Sequence, residues 1–285
     1  PRPRWKAERM GRAWRYEGAT DYEVPPWVAF LTSALTRRLV WPAPAPRLLA
    51  IQHEVRRHFG WSYDEDVASA SSLRDACNHH PEAEHLNWTA PQRNETLKGL
   101  REAIECAEKI VLVGAGVRAE TMEREWGTET AFIAADGAVG ACLGRVDVLC
   151  VVSDLDGEPH LSQAAQQGIP LLIHAHGDNV EAWNRCLHQW ALMGGVPLVL
   201  THQTDEVYND MHNVGGFTDG DRAACFLDWL GVESEKVQYV GFATDHVGPW
   251  SGTTDAARKL AKLEWMAQVL SLLDSTWETR RIDRK

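Results

Sequence analysis

Val146-Asp-Val-Leu-Cys-Val-Val152 runs straight into Ser153-Asp154-Leu-Asp156-Gly157, an apolar stretch that stops at two acids and a glycine. A short apolar run closed by turn residues reads as a buried strand. The same pattern lies on both sides of it. Ile110-Val-Leu-Val113 ends at Gly114, and Ala131-Phe-Ile-Ala134 ends at Ala135-Asp136-Gly137. Pro170–His174, Pro197–Leu200 and Val237–Val240 continue the series. Helical patterns separate most of these runs: Leu161–Gln167, Val180–Trp190, Asp221–Leu230 and the long amphipathic Thr254–Leu273. Strands alternating with helices specify an α/β fold, a mostly parallel sheet with helices on both faces. Ligands bind such sheets beyond the carboxyl ends of the strands.

Upstream the rhythm is helical. Leu48, Ile51, Val55 and Phe59 share one face, and Gly60 stops that helix. A second helix is expected from Ser62–Asp64 through Ala76. A third is expected over Asn94–Ala107, with Leu97, Leu100 and Ile104 on one side. Residues 47–108 therefore read as a small helical N-terminal domain ahead of an α/β catalytic domain over 109–285. Residues 1–46 read as an extension with a basic start and a stiff Trp41-Pro-Ala-Pro-Ala-Pro46 linker.

Charge narrows the partners. The 285 residues carry 29 Lys+Arg against 40 Asp+Glu, a net charge of −11. Nucleic acid held by sequence-independent charge requires a basic face, so no nucleic-acid partner is expected. No run approaches the roughly 18 apolar residues that span a bilayer, so no membrane partner is expected. Six cysteines lack CxxC or zinc spacing and suit a reduced, cytoplasmic protein. Thirteen tryptophans fit core and subunit packing, which leaves room for a homo-oligomer.

The strand ends hold the chemistry. Gly114-Ala-Gly116-Val-Arg118-Ala119 matches GxGxxA, and Asp136 closes the next strand. That pattern suits a dinucleotide turn and an NAD(P)-dependent oxidoreductase. It equally suits a turn that aims backbone N–H groups at phosphate. Asp154 and Asp156 lie two residues apart beyond a buried strand, and Gly157 lets the chain turn so that both point one way. Hard cations such as Mg²⁺ take carboxylate oxygens of this kind. Asp136, Asp178, Asp219 and Asp221 converge on the same sheet edge, where acids repel unless a cation or proton intervenes. Asp178 and Asp219 also suit helix caps. His174 and His176 are expected to hydrogen-bond to substrate or pack, since no third nitrogen or sulfur ligand stands near them. Arg118 and Arg222 are candidate phosphate contacts. A non-catalytic nucleotide-binding protein is a third reading, because fold alone does not specify function.

Val151-Val-Ser-Asp154-Leu-Asp156-Gly157, Ile173-His-Ala-His176-Gly-Asp178-Asn179 and Asn213-Val-Gly-Gly-Phe-Thr-Asp219-Gly-Asp221-Arg222 together resemble the archaeal 6-hydroxymethyl-7,8-dihydropterin pyrophosphokinases. The likeness covers about Arg47 to Leu273, and a more distant one extends to thiamine pyrophosphokinases. One departure is that Val117-Arg118 follows Gly116 where the family has Gly-Pro-Ser. The resemblance implies transfer of diphosphate from ATP, as co-substrate, to the pterin hydroxymethyl group, with AMP released, in folate or methanopterin biosynthesis. It implies Mg²⁺ on Asp154 and Asp156, with Asp178 or Asp221 completing the shell or orienting the hydroxyl. Asp136 and Gly137 would join the Mg-ATP site. The Gly114–Gly116 and Gly215–Gly216 loops and Arg222 would meet phosphates, and Asn179 and Thr218 the pterin edge.

Overall fold

Alternation along each strand decides what the sheet presents to either side. In the computed structural model, described over residues 41–252 and 255–283, the strands are β1 (Lys109–Val113), β2 (Thr130–Ala135), β3 (Val148–Ser153), β4 (Leu171–Ala175), β5 (Leu198–His202) and β6 (Val237–Val240). They form one six-stranded, all-parallel sheet in the order β5-β4-β3-β2-β1-β6. The described helices are α1 (Pro46–Phe59), α2 (Tyr63–Asn78), α3 (Ala90–Cys106), α4 (Val139–Cys142), α5 (His160–Gln166), α6 (Val180–Leu192), α7 (Asp219–Trp229) and α8 (Ala256–Leu273). The expected extension over 1–46 falls largely on residues 1–40, outside the described residues.

Register joins the strands into stripes. Val111 pairs with Phe132, Val113 with Ala134, Ala134 with Val151, Val151 with Leu171, and Leu171 with Leu198. That stripe shares a core with Ala70, Leu73 and Cys77 of α2 and Trp183, Cys186 and Trp190 of α6. α7 lies against β1, β2 and β3. Its Cys225 joins Leu48, Ile51 and Val55 of α1 and Val269 of α8 in a second cluster. The sheet is thus covered on both faces, as the alternation of strands and helices predicts, and α1 and α2 belong to its cores. Residues Ala43–Lys285 form one unit.

Local chemistry sets the helix ends. Gly60 closes α1 in the left-handed region at φ 70°. Ser62 caps α2, its side chain accepting from Glu65 N at 3.3 Å. α3 begins at Ala90, ahead of the Asn94 start read from apolar spacing, because Thr89 and Gln92 form a capping box. Trp88, Trp190 and Trp277 are fully buried, which accounts for part of the tryptophan content as core. Five of the six free cysteines, all but Cys106, are buried. No described helix is long and apolar enough to cross a membrane.

The strand order positions the site. The chain steps outward from β1 to β5, then returns to set β6 on the other side of β1. Such a reversal opens a crevice at the carboxyl ends of the strands that flank it.

Buried His202 and partly buried His212 make stability sensitive to acid. Burial pushes His202 down to about 3 and His212 down to about 4. Both remain neutral in the fold, while the unfolded chain binds their protons below about pH 6.5. Stability present above that pH is therefore lost as pH falls toward 4. Urea unfolding measured between pH 7 and pH 4.5 should lose up to about 1.4 kcal/mol per pH unit for each histidine. His202→Gln should flatten the profile; the wild-type slope in that variant would contradict this account.

Candidate active site

The β3 exit is built to turn two carboxylates the same way. Leu155, between Asp154 and Asp156, is fully buried and takes φ 78°. A leucine in the left-handed region is strained and persists only when its surroundings hold it there. Its N–H donates to Ser153 Oγ at 2.8 Å, and its side chain is locked in the sheet core. Asp136, at the end of β2, also has positive φ, 48°. Its Oδ1 accepts from Ser153 Oγ at 2.6 Å and from Gly157 N at 3.2 Å. Gly157 is required here, since a Cβ would collide with the Asp136 carboxylate.

These turns bring Asp136, Asp154 and Asp156 together, with one ligand atom from each within 4.8 Å of the others. Asp154 Oδ1 is buried and has no hydrogen-bond partner among the described residues. Asp219, the first residue of α7, joins them electrostatically. Burial, then the charges of Asp219, Asp156 and Asp154, hold the Asp136 carboxyl well above its usual range. Desolvation and Asp154 do the same to Asp219. Asp154 goes the other way. Desolvation opposes its ionisation, but His176 and then Lys262 and Lys259 hold it below the usual range. His176 Nε2 lies 3.5 Å from Asp154 Oδ2, and Nδ1 pairs with Asp178. Those carboxylates outweigh the burial of His176 and lift it to about 9.

Other expected site residues have structural partners. Asp221 is buried and completes the N-terminal capping box of α7, accepting from Phe217 N at 2.6 Å, Thr218 N at 2.7 Å and Thr218 Oγ1. Asn179 is buried; its amide donates to His174 O at 2.6 Å and Asp154 O at 3.0 Å, and accepts from His176 N. Arg222 is buried and donates to Phe217 O at 3.0 Å, while its Nε and Nη1 are unpartnered among the described residues. Gly215 N donates to Asn213 Oδ1, and Gly216 O accepts from Gln52.

The Gly114 turn is interlocked with β6. Gly114 N donates to Val240 O at 2.7 Å, Gly116 N to Gly241 O at 2.8 Å, and Val117 N to Gly114 O at 3.1 Å. A Cβ on Gly114 would lie 2.7 Å from Gly241 O, and one on Gly116 2.9 Å. Trp250 folds over this turn, with its N donating to Ala115 O and its Nε1 to Val117 O. Gly137 lies beneath, where a Cβ would stand 2.6 Å from Trp250 O. A pocket at the β1/β6 crevice is lined by Gly114–Gly116, Asp136, Thr218, Asp219, Gly241–Ala243, Trp250 and Lys259.

Sequence reading undervalued Asp219, Lys259 and Lys262. The signal for Asp219 was present. Thr218-x-x-Asp221 is a capping box, which consumes Asp221 and leaves Asp219 for the cleft. The Lys259-Leu-Ala-Lys262-Leu segment fits the family pattern, but nothing local gave the lysines a role, because α8 reaches the acids only through tertiary packing.

Carboxylates gathered at the switch point of a parallel sheet, faced by lysines, fit the class of α/β enzymes that act on phosphorylated co-substrates. A Pyrococcus furiosus protein named 6-hydroxymethyl-7,8-dihydropterin pyrophosphokinase is 29% identical over 239 residues, covering 80% of this chain and 93% of its own. A Methanocaldococcus jannaschii protein of that name is 31% identical over 183 residues, covering 61% of this chain and 70% of its own. A third, from Methanothermobacter thermautotrophicus, is 33% identical over 158 residues, covering 52% of this chain and 65% of its own. The chain belongs to the 6-hydroxymethyl-7,8-dihydropterin pyrophosphokinase family. No family model matches the chain, and no solved structure matches it. The oxidoreductase reading of the Gly114 turn is not supported. The relatives are pyrophosphokinases by name, and the turn leads into a 3-10 segment, Ala119–Glu123, with the Gly114, Gly116 and Val117 amides already committed. The non-catalytic alternative likewise finds no support among them.

Crowded acids cost stability when no cation shares them. Asp219→Asn should raise the melting temperature of the metal-free protein by about 2–4 °C, the shift that about 1 kcal/mol produces at this size. Millimolar Mg²⁺ should raise the wild-type melting temperature, and Asp154→Asn should abolish that response. Thermal scans with and without the metal test both; an Asp154→Asn protein still stabilised by Mg²⁺ would remove Asp154 from the cation site.

Proposed function

We propose that this protein transfers the terminal diphosphate of ATP to the hydroxymethyl oxygen of 6-hydroxymethyl-7,8-dihydropterin and releases AMP. The observation that carries the reading is the Asp136–Asp154–Asp156 cluster, with its unpartnered Asp154 Oδ1, in a chain of this family. Oxygen-only donors with one ligand atom uncommitted fit Mg²⁺. Asp154 and Asp156 would hold it with Asp136, and it would supply neutralisation of the phosphate oxygens.

In the transfer, a bond forms between the hydroxymethyl oxygen and the β-phosphorus of ATP. The bond from that phosphorus to the oxygen bridging to the α-phosphate breaks, and AMP leaves with the electron pair. Catalysis then rests on alignment and on charge placed around the diphosphate. Lys259, in the pocket wall with Asp136 and Asp219, would meet the phosphates. The carboxylate of Asp221 is occupied within α7, so orienting the hydroxyl and receiving its proton falls to Asp178. Asp178 is exposed beside the cleft and paired with His176. Buried free cysteines suit the reducing cytoplasm as its compartment.

A product assay with Mg-ATP and the dihydropterin tests the reading. AMP should appear in step with consumption of the pterin, and Asp154→Asn should lower kcat by at least about a hundredfold, the scale of lost electrostatic stabilisation, with unchanged circular dichroism. Formation of ADP instead would sink the diphosphoryl assignment.

A further inference from the structure

Beside the acids stands an aromatic group that the phosphate chemistry does not use. Phe59 and Trp61, at the α1–α2 corner, stack with ring centroids 4.7 Å apart and an interplanar angle of 16°. Phe217 joins them, 5.7 Å from Phe59 at 23° and 5.6 Å from Trp61. The three rings come from two segments far apart in the chain, and all remain partly exposed. Trp88, Trp190 and Trp277 show by contrast how this fold treats aromatic residues that serve the core alone.

Lys262 links the rings to the acids. Its Nζ lies 5.6 Å from the Trp61 ring centroid and 6.0 Å from that of Phe217. Its charge also reaches Asp154, Asp156 and Asp178 and favours their ionised forms. Phe217 precedes the Thr218 cap, so its ring stands two residues from Asp219. The α2 start is tied to the β4 exit, where Asp66 Oδ1 accepts from Gly177 N at 2.9 Å. The aromatic corner therefore belongs to the β3/β4 side of the acid cluster. The glycine-lined pocket occupies the β6/β1/β2 side.

We infer that Trp61 and Phe217 form the platform for the flat heteroaromatic ring of the acceptor, with Lys262 marking where its hydroxymethyl arm meets the phosphate. The inference rests on the diphosphokinase reading and adds to it the acceptor's place. A fused bicyclic ring has apolar faces and polar edges, the shape for which stacking on a half-exposed aromatic pair is favourable. In-line transfer requires donor and acceptor to approach the metal-bound phosphates from opposite sides. Two different walls flanking one acid cluster meet that need. The aromatic corner also assigns a substrate role to the α1–α2 segment.

Binding of 6-hydroxymethylpterin, followed by its own fluorescence, tests this without turnover. Wild type should quench the pterin saturably. Trp61→Leu and Phe217→Leu should each weaken the dissociation constant by about tenfold or more, the equivalent of about 1.4 kcal/mol of lost stacking and burial. Trp61→Phe should recover most of the affinity. Binding of Mg²⁺ with an α,β-methylene ATP analogue, measured by calorimetry, should be unchanged in all three. Lys262→Met leaves the ring stack in place, and should lower kcat by about tenfold or more with little change in pterin affinity. Leucine variants that hold the ATP analogue and bind pterin as wild type does would overturn the platform and leave the diphosphokinase reading intact. Wild type that binds the ATP analogue but no pterin would overturn both. Should the leucine variants fail to fold, equal pterin affinity in wild type and the volume-keeping Phe217→Met, with Lys262→Met fully active, overturns the platform as well.

Discussion

Like charges at the carboxyl edge of the sheet are the constraint around which this molecule is arranged. Asp136, Asp154, Asp156 and Asp219 are drawn into one cleft, where the charges of Asp154, Asp156 and Asp219 oppose ionisation of their neighbours. Nothing in an isolated strand would hold them so. Strand register sets the β2 and β3 exits side by side, and Ser153 and Gly157 fasten the Asp136 carboxylate. The left-handed Leu155, pinned by its buried side chain, turns the Asp154–Asp156 loop back on itself. His176, Lys259 and Lys262 then supply countercharge from β4 and α8. Backbone strain and electrostatic repulsion are thus concentrated at one place, and the packed sheet beneath makes that tolerable.

The strand order divides the space around these acids. Setting β6 beside β1 lets the Gly114 and Gly241 turns interlock, and that pairing makes one wall. β3 and β4 lie on the other side of the acids, where the residue after each strand is charged and the α1–α2 corner closes in. The glycines of the first wall are required by close backbone approach: Gly241 sits at φ 72°, and a side chain there would collide with Val117 N and Gly114 O. A fingerprint that looks like a phosphate turn in one dimension is here also a joint between two turns.

That difference explains what could be read from the chain and what could not. The strands were legible because apolar runs closed by Gly or Asp leave few alternatives, and the acids were legible because they follow those runs. Gly114 and Gly116 were legible as a turn but not as a joint, since their partner Gly241 lies far along the chain. Asp219 and Asp221 were separable in principle by the capping box, which depends only on Thr218 and Asp221. Trp61, Phe217 and Lys262 stood in segments that fit the family pattern, but no role for them together was legible. Each is an ordinary residue in its own segment, and their relation exists only once α1, α7 and α8 are packed.

The helices before the sheet are bound into it by a buried polar network. Asp66 accepts from Arg56 Nε at 3.0 Å, Gln203 Nε2 at 3.0 Å and Gly177 N at 2.9 Å. Arg56 also donates to Gln203 O at 2.7 Å, and the Gln203 side chain meets His174. A buried carboxylate is tolerated only while its donors are present, and losing one strands the rest. Those donors come from α1, from the loop after β5 and from the turn after β4. Separation of the α1–α2 segment from the sheet would therefore leave Arg56 and Asp66 with most of their partners gone. The same network fixes the Gly177 turn that carries His176 and Asp178. Geometry at the acids and attachment of the N-terminal helices are in this way consequences of one set of hydrogen bonds. Changes at Asp66 or Arg56, outside the acid cluster, reach the site through the backbone of that turn.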